Sequence, residues 1–298
     1  LVAASPDASV LASHESLFDG ETFLRFANRP HPHRSAWFSV DGAYLYEFEP
    51  VGSVLYRTSL STVVGTYRLG ETNLPPGTLG AHHLHQLKID RSRPLLYGLD
   101  SQKNQVIYIS RETFLPIRAE FIGSAPTDLV LGITDDEIYA ATFGASEVAV
   151  LDLTNSTKAL KYTLLTPSNP YRIAYSVTGY LAYAEQDGYG TVYVLDLATG
   201  AIRSVSSEPL FQPALVFDST GQYLYAGESQ GPAARLYRMS LTDHGLPEIV
   251  STAVTFSYPA RSVLFSAPYV YFAGSQIDAQ TLVPTGTFGE EIVAVTSD

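Results

Sequence analysis

Short bursts of apolar residues, separated by polar turns, run the length of this chain. In Leu215-Val-Phe-Asp-Ser-Thr-Gly-Gln-Tyr-Leu-Tyr-Ala-Gly227, an apolar run, a polar turn at 218–221 and a second run ending in Tyr225 predict strand, turn, strand. The pattern recurs. The tyrosine that closes the second strand returns at Tyr46, Tyr97, Tyr139, Tyr183, Tyr225 and Tyr271, and Leu11 takes its place near the N-terminus. A small residue usually follows (Ala12, Gly98, Ala140, Ala184, Ala226), as close packing of neighbouring sheets demands. A second pair of strands then completes each unit, as in Thr191-Val-Tyr-Val-Leu-Asp-Leu197 followed by Ala201-Ile-Arg-Ser-Val205. No segment carries a capped helical stripe.

The anchors are spaced by about 43 residues, and four short antiparallel strands at that period define a propeller blade. The prediction is an all-β chain, one seven-bladed β-propeller domain over 1–298, with units near 1–30, 31–79, 80–123, 124–166, 167–207, 208–252 and 253–298. Proline recurs in the junctions between units, where a strand's first residue need not donate to the ladder. The C-terminal Glu290-Glu-Ile-Val-Ala-Val-Thr-Ser-Asp298 reads as a surplus first strand. Leu1-Val-Ala-Ala4 reads the same way, so two segments compete for one place; pairing the C-terminal one with the N-terminal sheet would close the ring and remove exposed edges.

The bulk numbers narrow the partners. The chain has 298 residues and a formal net charge of −12, and its only lysines are Lys88, Lys103, Lys158 and Lys161. Such a surface repels phosphate backbones and anionic membranes, so neither nucleic acid nor membrane insertion is expected. The absence of cysteine excludes disulfides, thiolate metal sites and thiol nucleophiles. Abundant Tyr, Ser and Thr with little Lys points to an extracytoplasmic place: secreted, periplasmic or cell surface. The start at Leu1, with no leader-like stretch, reads as a trimmed product or a piece of a longer protein.

The order proline, first strand, Asp-Gly-type turn, Tyr-Leu-Tyr, then Val-Tyr-Val-Leu-Asp-Leu-Ala-Thr-Gly resembles the YVTN/YncE-like seven-bladed propellers, near the lactonase-like and quinoprotein-like groups. The likeness is clearest in 171–205 and 213–250. It implies a propeller fold and leaves the activity open. The chain lacks the Gly-His and Trp-Asp pairs of WD40 repeats and the Gly-Gly pairs of kelch repeats.

Candidate chemistry gathers at the junctions. Five of the seven histidines lie at two adjacent ones: His31 and His33, then His82, His83 and His85. Converging imidazoles can hold a divalent metal, with Asp128 from the next junction as a carboxylate partner. The plainer reading is solvated loop histidines. The other junctions bring Arg34, Asp128, Tyr171, Arg172, Gln212, Tyr258 and Arg261, a ring of polar and aromatic groups suited to a small polar ligand, a peptide or a protein at a channel mouth. The acidic 134–137 and the 187–190 loop read as solvated turns. The stretch 69–79 reads as a long loop ahead of the His-rich junction, placed to act as a lid or partner contact, or equally to cover an exposed edge.

Two functional classes follow. One is a non-catalytic binding or scaffold propeller that needs no cofactor, with flanking domains in a longer chain. The other is a metal-assisted or lactonase-like enzyme using the histidine group. No Gly-x-Ser-x-Gly elbow or phosphate-binding glycine loop argues for another chemistry.

Overall fold

The structure, a computed structural model, describes the strands within 10–73 as backbone. It also describes residues 84–287 except 114, 135, 156–159, 186–188, 207, 231–232, 243–247 and 256–261, with backbone alone at 85, 229–230, 233, 248–250 and 255. Over these residues the chain is all-β, with one turn of 3₁₀ helix at Phe143–Ala145.

The strands form antiparallel meanders, each contiguous in sequence. Sheet A has three strands, Val10–Ala12, Ser16–Asp19 and Arg25–Asn28. Six sheets of four strands follow: B over 35–73, C over 84–121, D over 126–165, E over 170–205, F over 214–255 and G over 263–287. Proline opens the first strands Pro126–Leu131 and Pro170–Tyr175, as ladder geometry allows. A short extra ladder joins Tyr189–Gly190 to Leu210–Phe211. The first strands of C, D, E, F and G lie beside one another in sequence order. The sheets fan out from that line, as blades of a propeller do.

Each pair of neighbouring sheets encloses its own core. Tyr97, Leu99, Val106 and Tyr108 of C pack on Leu129, Ile138, Ala140 and Ala149 of D. The opposite face of D, with Tyr139 and Val150, meets Ile173, Leu181 and Tyr183 of E. Ala182, Ala184 and Val194 of E meet Leu224, Ala226 and Met239 of F. Tyr225 and Leu236 of F meet Val270, Phe272 and Ile277 of G. Alternation with a period of two supplies both faces, because successive side chains point to opposite sides.

The tyrosine anchors stand inside their strands and do not end them. The strand holding Tyr225 runs Tyr223–Gln230, because the ladder to Ala233–Ser240 continues past the apolar run. Tyr97 and Tyr183 are fully buried. The small residues divide into two roles. A Cβ on Gly98 would stand 2.8 Å from the methyls of Leu84 in its own sheet. A Cβ on Gly227 would stand 2.4 Å from the ring of Phe272 in the next sheet, so the close approach between sheets F and G falls there.

One expected loop is partly strand. Residues 69–73 belong to Thr66–Asn73, which pairs residue by residue with the ten-residue Val54–Val63. Much of the extra length between Tyr46 and Tyr97 therefore extends a hairpin, where alternating side chains and backbone pairing outweigh the Gly and Asn that suggested a loop. Residues 74–79 lie outside the described residues, as does the C-terminal 290–298 with its expected closing strand.

Candidate functional site

The inner strands of C, D and E share a local irregularity. In each, the register against the second strand slips by one residue near the start: between Leu84 and Gln86, Pro126 and Asp128, and Pro170 and Arg172. A bulge leaves one residue unpaired and re-aims its neighbours. His85, Thr127 and Tyr171 are the extra residues. Thr127 donates its hydroxyl to the Tyr171 carbonyl at 2.9 Å, joining the bulges of D and E.

Beside the bulge, Asp128 is buried and ties three sheets together. Gln86 of sheet C donates its side-chain amide to Oδ1. The Leu129 backbone N–H reaches Oδ1 at 2.9 Å and the Gln86 side-chain Oε1 at 2.7 Å. The Ile173 N–H of sheet E reaches Oδ2 at 2.9 Å. Both carboxylate oxygens thus accept from protein donors, which offsets the cost of burying the charge.

Two cations flank this knot. Lys88 stands opposite Tyr97 in the ladder, where the next sheets carry Val130, Ile173, Val216 and Leu264 opposite their own tyrosines. It is the polar exception in an apolar register. Part of its surface stays accessible, yet protein surrounds it, and that desolvation holds its ammonium below the usual lysine range. Asp128 opposes the shift and Arg172 reinforces it. Arg172 lies with its guanidinium carbon 4.9 Å from the Tyr171 ring centroid, and Phe143 meets Tyr171 edge-on at 6.5 Å. Among the described residues, neither Lys88 nor Arg172 has a carboxylate within ion-pair distance.

Of the residues singled out in the sequence, Asp128 and Arg172 come close enough for their charges to act on Lys88, and Tyr171 supports Arg172. Gln212 is exposed just before the first strand of F, with a positive φ of 42°. Arg34, Tyr258, Arg261, His31, His33, His82 and His83 lie outside the described residues. His85 is the bulge residue of sheet C. Among the described residues no cluster of three or more His, Cys, Asp or Glu is placed to hold a metal ion. Gln86 and Lys88 were not picked out in the sequence. Aligning the units on their tyrosines reveals Lys88, because the residue nine places before Tyr139 and Tyr225 is valine, and before Tyr97 it is lysine.

The opposite edge of sheets D and E holds a cavity of about 380 Å³, lined by Glu137, Tyr139, Tyr162, Tyr175, Tyr180 and Asp196 among others. Glu137 is not the solvated turn acid that its sequence suggests. It starts the second strand of D, accepts the Tyr139 hydroxyl at 2.5 Å and binds the Lys161 ammonium at 2.6 Å. Burial, then Glu137, raises the Tyr139 phenol above its ordinary range. Tyr139 and Tyr175 lie 5.3 Å apart between centroids at 33°.

No protein-family model matches the chain, and no curated protein does. Solved structures do match. A chain of the Mitotic Checkpoint Complex aligns with TM-score 0.66 at 14% identity, over 92% of this chain and 83% of its own. A chain of Kuenenia stuttgartiensis hydrazine synthase aligns with TM-score 0.66 at 17% identity, over 91% of each. The β-propeller domain of Myceliophteria thermophila Cps50 (Swd1) aligns with TM-score 0.60 at 15% identity, over 76% of this chain and 77% of its own. At such identities the likeness concerns the fold, and that fold is a β-propeller.

Proposed function

We propose that this β-propeller is a non-catalytic binding or scaffold module of seven blades, akin to the YVTN/YncE-like group. Its ligand, a protein, a peptide or a small polar molecule, sits at the channel mouth. The observation that carries the reading is the polar set on the inner strands. Asp128 is spent on holding sheets together, while Lys88 and Arg172 offer donors and positive charge with no ion-pair partner among the described residues. Such donors favour a ligand that brings carboxylate, phosphate or carbonyl oxygens. Two of the structural neighbours, the Mitotic Checkpoint Complex and hydrazine synthase, carry a propeller of this shape, one in a named complex and one in a named enzyme, so fold alone decides nothing. Composition favours a location outside the cytoplasm.

Seven blades and ring closure rest on sheet A. Among the described residues it has three strands, and Leu11 in its edge strand stands opposite Phe18, in the anchor position. The inner strand that every other sheet has is the place we assign to 290–298. Deleting 290–298 should lower the melting temperature by many degrees; an unchanged melting curve rejects closure.

Calorimetric titration with short acidic peptides and with phosphate- or carboxylate-bearing small molecules tests the binding reading. Affinity should fall about tenfold or more in Arg172→Ala, as for loss of one charge-assisted contact. Binding unaffected by that change removes the assigned mouth. Turnover lost in His83→Ala with the fold intact, or metal retained after dialysis, favours the metal-assisted or lactonase-like alternative instead.

A further inference from the structure

The cavity between sheets D and E lies at their turn edge, away from the inner-strand knot, and its chemistry differs. Its lining is rich in tyrosine, and its charged lining residues, Glu137 and Asp196, are both acids. Glu137 pushes the phenols of Tyr139, Tyr162 and Tyr175 upward, in each case second to burial or after it, so its field reaches all three rings. A field that disfavours phenolate at three rings favours a cation among them. Asp196 adds a second carboxylate at the rim; its Oδ1 accepts the Ala198 and Thr199 N–H groups. Asp152, outside that lining, is felt at Lys161. Against these stand Lys161, whose side chain is nearly half exposed, and Arg203 beside Tyr180.

The rims already show how a cation meets these rings. The Lys161 ammonium lies 5.8 Å from the Tyr162 centroid, and the Arg203 guanidinium carbon lies 4.6 Å from that of Tyr180. Both separations fall within the range of cation–π attraction. Between them, Tyr175 presents a further ring, packed on the buried Tyr139. The volume of about 380 Å³ admits one extended side chain with part of its backbone.

We propose that this groove receives a lysine side chain from a segment of a partner protein, with the tyrosines supplying ring faces and Glu137 and Asp196 the countercharge. The inference rests on the reading of the chain as a protein-binding scaffold and names one of its contact sites. A second copy of this chain is a poor occupant, because each copy carries −12 and only four lysines. A basic partner is complementary to the same charge.

The test is an NMR titration of the full chain with ¹³C-labelled tyrosine rings, assigned through single Tyr→Phe variants. The probe is a blocked peptide of alternating glycine and lysine; its control carries acetyl-lysine at the same positions. The lysine peptide should shift the Tyr139 and Tyr175 rings saturably. Its affinity should weaken about tenfold in Glu137→Gln and in Tyr162→Ala, the loss of one cation–π or ionic contact. Tyr162 is partly exposed, so Tyr162→Ala keeps the test available if Glu137→Gln unfolds. Equal shifts from the acetylated control or from a methyl glycoside overturn the proposal, as do rings that stay unmoved. Those rings report on this groove alone. Their silence leaves the channel-mouth reading, which Arg172→Ala tests, in place.

Discussion

Sheet D carries two carboxylates with opposite fates. Asp128, near the start of its first strand, is buried, and both oxygens are taken by donors from sheets C, D and E. Glu137, at the start of its second strand, shares its oxygens with one tyrosine and one exposed lysine and borders a cavity. The first acid holds three sheets in register, and the second sets the field of an open groove. Residue type does not separate them. The donors do: two backbone amides and a part-buried glutamine amide in one case, and a tyrosine hydroxyl and an exposed lysine in the other.

Removing each acid should expose that difference. Asp128→Ala leaves the Ile173 N–H and the Gln86 amide without an acceptor inside the protein. Buried donors orphaned in this way cost about 3 kcal/mol together. Urea unfolding should show that loss, and a loss below about 1 kcal/mol would remove Asp128 from its role as a tie. Gly227→Ala comes next at about 2 kcal/mol, because its Cβ meets the Phe272 ring at 2.4 Å. Phe272→Leu in the same chain should recover part of it; an additive double variant would show the two positions to be uncoupled.

The third test uses pH. Tyr225 is buried, donates its hydroxyl to the Ala279 carbonyl at 2.8 Å, and is pushed up to about 12, chiefly by that burial. Tyr97, Tyr139 and Tyr183 are raised in the same direction by the same cause. In the unfolded chain phenols titrate near 10, so above that pH unfolding releases protons and stability falls as pH rises. Below pH 9 these groups contribute no slope. Tyr225→Phe should cost about 1 kcal/mol at neutral pH and flatten the stability curve between pH 10 and 12 by about one proton. An unchanged alkaline slope places the titration elsewhere. Glu137→Gln should have the smallest effect, below about 1 kcal/mol, because its ionic partner is nearly half exposed and water screens the pair. A loss as large as that of Asp128→Ala would make the two acids alike and end the comparison.

Much of the β architecture was legible in the sequence, and for a physical reason. Strand alternation, a proline at the first residue and an aspartate before each turn are local signals. Asp152 and Asp196, each in a Val-Leu-Asp-Leu stretch, and Asp278, in Gln-Ile-Asp-Ala, accept backbone N–H groups two or three residues onward. The site was harder to see. Asp128 stood out as a junction acid, but its donors from the two neighbouring sheets lie more than forty residues away on either side, so its use as a tie was hidden. The groove draws Tyr139 and Tyr162 from one sheet and Tyr175 and Tyr180 from the next, and no spacing within a unit brings them together. Glu137 looked like one more acid in a turn, because the preceding aspartates outweighed the strand that begins with it.

The Gly227–Phe272 contact has a consequence for the history and engineering of the array. In the units anchored on Tyr97, Tyr139, Tyr183 and Tyr225 the residue after the tyrosine is small, whereas after Tyr271 it is Phe272. Sheet F has a notch and sheet G has the projection that fills it, while the notch at Gly98 is filled from within sheet C. The repeats have therefore become keyed parts. A copy of sheet G inserted after sheet E would turn Phe272 toward Ala184 and its neighbours, where no glycine two places past the tyrosine receives it, since Glu185 stands there. Similar in outline, the blades of this molecule are no longer exchangeable.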